Sequence, residues 1–215
     1  MLANSALIIV DVQNGFTSGG NLEVKEAERI IPTINQLAQY FDNIVLTQDW
    51  HPANHISFAE NHPDRQAYDT IKLDYGLQVL WPSHCVQGTH DADFHPELVT
   101  SKAQLIIRKG VHSDIDSYSA FMEADRKTTT GLAGYLKERG IDTVFIVGIA
   151  TDFCVAWSAM DAAKLGFNVY VISDATKGID LHGSLQHAWQ EMLAVGVKRL
   201  VSNTILNSIT DDHLI

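Results

Sequence analysis

The chain is 215 residues long and 46% hydrophobic, enough for one substantial core and too apolar for a disordered chain. Its 26 acidic against 15 basic residues give a formal net charge of -11, which repels nucleic-acid phosphate and anionic lipid, and no local basic patch offsets it. No apolar run approaches the ~20 residues of a membrane span, and two cysteines, Cys85 and Cys154, build no disulfide framework.

Met1–Ser5 lacks a basic leader region, and Leu7–Val10 is too short for a secretory core. The expectation is a cytoplasmic protein of one domain over residues 1–215, with neither nucleic acid nor membrane as partner. A homo-oligomer is compatible with the chain. Free thiols in a reducing compartment are available for packing, metal binding or chemistry, and ten histidines keep a metal site in view.

In chain order, the first strand falls at Ala6–Val10 and a helical stretch follows at Val24–Tyr40, with Ile30, Ile34, Leu37 and Tyr40 at helical spacing and Pro32 marking a kink or a later start. Further strands are predicted at Asn43–Thr47, Gln104–Arg108, Thr143–Val147, Asn168–Ile172 and Lys198–Ser202. Each is a short β-branched run without clean alternation, the pattern of a sheet covered on both faces. Helices are expected at Thr128–Arg139, ending at Gly140, at Asp152–Leu165 after an N-capping Thr151, and at Ser184–Ala194. Strands alternating with helices give a doubly wound α/β fold: a mainly parallel six-stranded sheet with helices on both faces, in a Rossmann-like three-layer arrangement. One connection is abnormal. The insertion at about 48–102 shows little helical period and holds Trp50, Trp81 and six of the ten histidines, and loops of that length are usually functional.

Ligands of open parallel sheets bind beyond the carboxyl ends of the strands. There the sequence places Asp11 after the first strand, Asp49-Trp50-His51 after the second, Lys109 after the third and Ala150–Cys154 after the fourth. A lone cysteine is more often a small buried residue than a nucleophile. Cys154, however, falls on the first turn of a helix, where free N–H groups and the dipole favour a thiolate, and where the N–H groups of Ala150 and Cys154 can form an oxyanion hole. A buried Asp11 needs a partner, and Lys109 supplies one. Together the three read as a nucleophilic triad without histidine, the ammonium lowering the thiol pKa. Asp49 and His51 project to one side of an extended segment, and His84 completes a facial set suited to one divalent transition metal ion, Zn, Fe or Mn. His55 is a fourth candidate. Phe16, Trp81 and Tyr118 can wall an aromatic pocket or simply pack. A silent metal-binding or ligand-sensing module on the same fold is the rival of a different class.

The segments Val10–Phe16, Gln48–Pro52, Trp81–Thr89, Arg108–Gly110 and Gly148–Val155, in that order, resemble those of nicotinamidases (pyrazinamidases) within the isochorismatase-like cysteine hydrolases. The resemblance covers residues 7 to about 202 and implies an isochorismatase-like fold and an amidohydrolase acting on a linear carboxamide. Nicotinamide, and pyrazinamide with it, would be hydrolysed through a thioester. It implies Cys154 as nucleophile, Asp11 as proton acceptor and donor, and Lys109 holding both. A cis Ile149–Ala150 peptide would orient the Ala150 and Cys154 N–H groups. The metal on Asp49, His51 and His84 would hold the ring nitrogen, and the substrate would lie among Phe16, Trp81, Tyr118 and Ile149. Phe153 stands where some relatives carry histidine. Another amidase of the superfamily, or an isochorismatase, is the rival within the class, against which the paired metal motifs argue.

Overall fold

The computed structural model describes residues 4–212. Residues 1–3, on which the leader reading partly rests, and 213–215 lie outside the described residues. The strands are β1 (Ser5–Val10), β2 (Ile44–Asp49), β3 (Thr70–Leu73), β4 (Gly76–Val79), β5 (Leu105–Lys109), β6 (Thr143–Ile149), β7 (Asn168–Lys177) and β8 (Lys198–Leu200). The α-helices are α1 (Ile31–Leu37), α2 (Leu132–Glu138), α3 (Ala156–Lys164), α4 (Ser184–Ala194) and α5 (Ser202–Asp212).

Six strands form one sheet in the order β5-β2-β1-β6-β7-β8, and every pair in it is parallel. The chain winds outward from β1 through β2 to β5, then returns to the other side of β1 and winds out again from β6. The gap between β1 and β6 is therefore the switch point, where such sheets open a crevice at the carboxyl ends of their strands. Alternation along β1 divides the core. Leu7 and Ile9 join Ile31, Ile34 and Leu37 of α1 on one face, whereas Ala6, Ile8 and Val10 join Leu132 and Leu136 of α2 and Ala159 and Ala162 of α3 on the other. All are buried, and each large aliphatic among them contributes roughly 1.5–3 kcal/mol relative to exposure. Close packing of β1 on β6 needs Gly148 (φ +114°), because a Cβ there would sit 2.0 Å from the Val10 carbonyl oxygen.

All six predicted strands are present, and β7 runs five residues further than expected. The helices differ more. Pro32 lies in the first turn of α1, where its missing N–H is tolerated, and the predicted Val24–Tyr40 stretch is divided into a 3-10 turn at Ala27–Ile30, α1, and a second 3-10 turn at Ala38–Tyr40. The stretch begun at Thr128 becomes helical only at Leu132. The helix after β6 opens as one π-helical turn, Thr151–Val155, before α3. Ala150, in extended conformation, precedes it, and no side chain caps it, so Thr151 is not the N-cap. α5 was not anticipated. Nor was the antiparallel hairpin β3–β4 inside the long insertion, a ribbon of two four-residue strands joined at Asp74-Tyr75. No helix among the described residues is long and apolar enough to cross a membrane.

Candidate active site

The carboxyl ends of β1, β2, β5 and β6 converge on a cavity of about 350 Å³, including its open mouth. Cys154, Ala150, Asp49, His51, His84 and Asp116 line it together with the hydrophobic walls Phe16, Leu22, Trp81, Tyr118, Phe153 and Ile179. Behind the cavity wall lies Lys109, with its side chain fully buried. Its Nζ is 2.5 Å from Asp49 Oδ1, 2.8 Å from Asp11 Oδ2, 3.2 Å from the Ser117 carbonyl oxygen and 3.6 Å from Cys154 Sγ. An ammonium has three donors. Its hydrogen bonds run to Asp49, to the Ser117 carbonyl and, longest, to the Cys154 sulfur, while Asp11 is held by the ion pair.

Asp11 ends β1 with φ +47°, a left-handed conformation uncommon for a residue with a side chain and characteristic of functional turns. Thr47, on the neighbouring β2, fixes it: the Asp11 N–H donates to Thr47 Oγ1 (3.1 Å), and Thr47 Oγ1 donates to Asp11 Oδ1 (2.5 Å). Oδ2 is ion-paired with Lys109 yet accepts no well-directed hydrogen bond, which leaves it an acceptor beside the thiol. One oxygen each of Asp11 and Asp49 and the sulfur of Cys154 lie within 4.8 Å of one another.

Burial raises Asp11 to about 6 against the pull of Lys109. For Asp49, burial is overcome by Lys109 and then His51, which together hold it well below the usual carboxylate range. Lys109 is also buried, but the two carboxylates keep it firmly protonated. Cys154 departs from the sequence expectation. Burial pushes its thiol well above the ordinary value, Lys109 only opposes this, and Asp11 and Asp49 add to it. Burial thus favours a neutral thiol beside an acceptor carboxylate over a free-standing thiolate.

The metal set is built on three facts of donor chemistry. His51 Nδ1 faces the Gly110 carbonyl (3.0 Å) and His84 Nδ1 faces the Pro82 carbonyl (2.8 Å). A carbonyl only accepts, so Nδ1 carries the proton in both rings and each Nε2 is left as the ligand atom, the arrangement outer-shell partners impose at metal sites. Both Nε2 atoms point to Asp49 Oδ2, at 3.6 and 3.8 Å, outside hydrogen-bond range and with room between them for a cation. The three residues therefore fit a small divalent ion. Gly110 (φ +61°) is required by the same ring: a Cβ there would lie 2.2 and 2.3 Å from His51 atoms. Burial and His51 lower His84 to about 4, which leaves its ring neutral and able to ligate.

His55 does not join this set. Its Nδ1 bonds Ser57 Oγ (2.7 Å) and its Nε2 the Ile115 carbonyl (3.2 Å), so both nitrogens are engaged. It falls instead with His51 and Asp116 in a second buried group. Ile149 is likewise corrected as a pocket residue: it is fully buried in the core on the α1 side and does not line the cavity, to which it brings only its peptide with Ala150, which is cis.

A model of the isochorismatase domain matches residues 5–200. The chain belongs to the isochorismatase family. It is 73% identical over 203 residues to a nicotinamidase of Acinetobacter baylyi, covering 94% of this chain and 95% of that protein. A solved structure of a nicotinamidase/pyrazinamidase from Acinetobacter baumanii superposes with a TM-score of 0.94 at 69% identity, covering 95% of this chain and 99% of the other. A pyrazinamidase of Pyrococcus horikoshii solved in complex with zinc gives a TM-score of 0.75 at 39% identity, over 92% of this chain and 99% of the other.

Around the family's cysteine, other residues hold the isochorismatase-type cavity in shape. Tyr118 Oη accepts hydrogen bonds from Trp81 Nε1 (2.9 Å) and Gln78 Nε2 (3.3 Å), so these aromatic walls are fixed relative to each other. Phe153 packs edge-on to Trp81 with ring centroids 4.8 Å apart. Asp152, beside Cys154, accepts the Ile179 and Asp180 N–H groups (2.9 and 2.7 Å) and the Ser184 hydroxyl (2.5 Å), pinning the loop that carries Ile179 onto the nucleophile turn. Thr47, Leu22, Asp116 and Ile179 were not singled out from the sequence. Each is a single residue without a spacing signal, and only the parallel register of β1 on β2 brings Thr47 to Asp11.

Proposed function

We propose that this protein hydrolyses nicotinamide, and pyrazinamide with it, to the carboxylate and ammonia through a thioester on Cys154. The observation that carries the reading is the meeting of Asp11, Lys109 and Cys154 at the sheet's switch point, facing a hydrophobic cavity with a metal-type donor set at its side. Asp11 takes the proton of the Cys154 thiol as the sulfur attacks the carboxamide carbon. The Ala150 and Cys154 N–H groups, at the cavity wall, stabilise the developing oxyanion. Asp11 returns the proton to the amine nitrogen, the C–N bond breaks and ammonia leaves. It then takes a proton from water, whose oxygen attacks the thioester carbon. The C–S bond breaks, the proton on Asp11 passes back to sulfur, and the product acid gives its remaining proton to solvent and leaves as the carboxylate. Lys109 stays protonated throughout and holds both carboxylates in place.

Asp49, His51 and His84 would hold a divalent transition metal ion, zinc being the first candidate, which when bound supplies a Lewis acid that positions the ring nitrogen. Phe16, Trp81 and Tyr118 wall the ring. A neutral imidazole on His84 and a carboxylate on Asp49 suit that task at neutral pH.

Ammonia release from nicotinamide tests the reading. The purified protein is expected to be active, to lose activity with a chelator and to recover it with zinc. Cys154→Ala is expected to lower kcat by roughly 10⁴-fold or more while leaving the fold intact. Undiminished turnover by Cys154→Ala would end the thioester mechanism.

A further inference from the structure

Asp116 is 2% exposed and lines the cavity, yet it has no place in the triad or among the three ligands. It is held firmly. Oδ1 accepts the Ser117 N–H (2.8 Å) and Oδ2 accepts Gln78 Nε2 (2.6 Å), from strand β4 of the hairpin. Two hydrogen bonds leave a carboxylate with acceptor capacity to spare. Among the described residues it forms no ion pair, since the nearby ammonium of Lys109 is held between Asp11 and Asp49. One of its oxygens lies within 4.8 Å of ring nitrogens of His51 and His55.

A buried carboxylate without a counter-ion is unfavourable unless something positive comes to it. The charge count around the cavity says what. Asp11, Asp49 and Asp116 are three buried carboxylates against a single buried ammonium, Lys109, and imidazoles that ligate a metal must be neutral. The balance is two negative charges, the amount one divalent cation neutralises. Asp49 accounts for one as a direct ligand of the proposed set, and the other sits on Asp116, an oxygen of which lies within 4.8 Å of a His51 ring nitrogen.

We propose that Asp116 is the outer counter-charge of the metal site, a positioning residue that raises the affinity of Asp49, His51 and His84 for a divalent ion without ligating it. This rests on the metal set proposed above, not on the amidase reaction, so it is read by metal affinity instead of turnover. Zinc dissociation constants are measured on the full chain by competition with a chromophoric chelator. Asp116→Asn, which keeps size and removes charge, is expected to weaken zinc binding by about 10–100-fold, the range for outer-shell substitutions. Asp116→Glu, which restores the charge, is expected to recover most of that loss, which a purely structural role would not produce. If Asp116→Asn lacks a native melting transition, Asp116→Ser is the neutral variant judged by the same criterion. A folded neutral variant that binds zinc within about twofold of the unsubstituted chain, or a Glu variant no better than the neutral one, would overturn the role of Asp116 alone. An unsubstituted chain that binds no zinc would overturn the metal set and this proposal with it.

Discussion

Cys154 is surrounded by two carboxylates and receives only the longest of the Lys109 hydrogen bonds, and burial holds its thiol protonated, so in the proposed mechanism the proton leaves the sulfur as the substrate is attacked. Two consequences can be measured. Ultraviolet absorbance of the substrate-free protein at pH 7 is expected to show no thiolate signal that Cys154→Ala removes; such a signal would mean that Lys109 and the helix terminus outweigh burial. Asp11 accepts the proton only when ionised, and burial places its pKa at about 6. Activity is therefore present above that value and lost below it, and kcat/KM is expected to fall on an acid limb near pH 6. A profile flat down to pH 5 would remove Asp11 as the base. That Asp11, Lys109 and Cys154 meet was legible because each lies at or soon after a strand's carboxyl end at the same edge of the sheet. The sign of the thiol shift was not, since a sequence records which charges are near but not how completely water is excluded. Nor does it show that Asp49 and Ser117 compete for Lys109.

At the scale of elements, short apolar runs located the central strands, because strands buried on both faces, as β1 and β2 are, carry mostly apolar residues, and the edge strands β5 and β8 followed from their own short runs. The hairpin β3–β4 escaped because its alternating stretches, Thr70–Leu73 and Gly76–Val79, are only four residues each and too short to stand out inside a long insertion. Helix starts were misplaced wherever a 3-10 or π turn intervenes, as at Pro32 and at Thr151, since such turns leave no mark on apolar spacing. The proposed metal ligands come from two places, Asp49-Trp50-His51 at the end of β2 and His84 in the long insertion, and are brought to one point by the backbone between them. Gly110, directly after β5, is the hinge of that arrangement. Gly110→Ala forces a Cβ into the His51 ring and strains a left-handed backbone. Zinc affinity is expected to fall about 10-fold or more, with the sheet preserved. Unchanged zinc affinity in a folded Gly110→Ala protein would show that His51 is not held where the ligand set needs it.

For the whole molecule, the parallel winding order is what makes the chemistry coherent. The site gathers residues 11, 49, 109 and 154, far apart in the chain, only because β2, β1, β5 and β6 run in the same direction and end together beside the switch point. A net charge of -11 suits the proposed site, since it attracts a divalent cation, leaves a neutral carboxamide unopposed and repels an anionic product. The claim on which all of this depends is that sulfur forms a bond to the substrate's acyl carbon. Mass spectrometry of the intact protein, acid-quenched during turnover of nicotinamide, measures that directly. A nicotinoyl adduct confined to the peptide containing Cys154, and absent from Cys154→Ala, is the expected result; rapid turnover with no adduct, or with an adduct on another residue, would contradict the account.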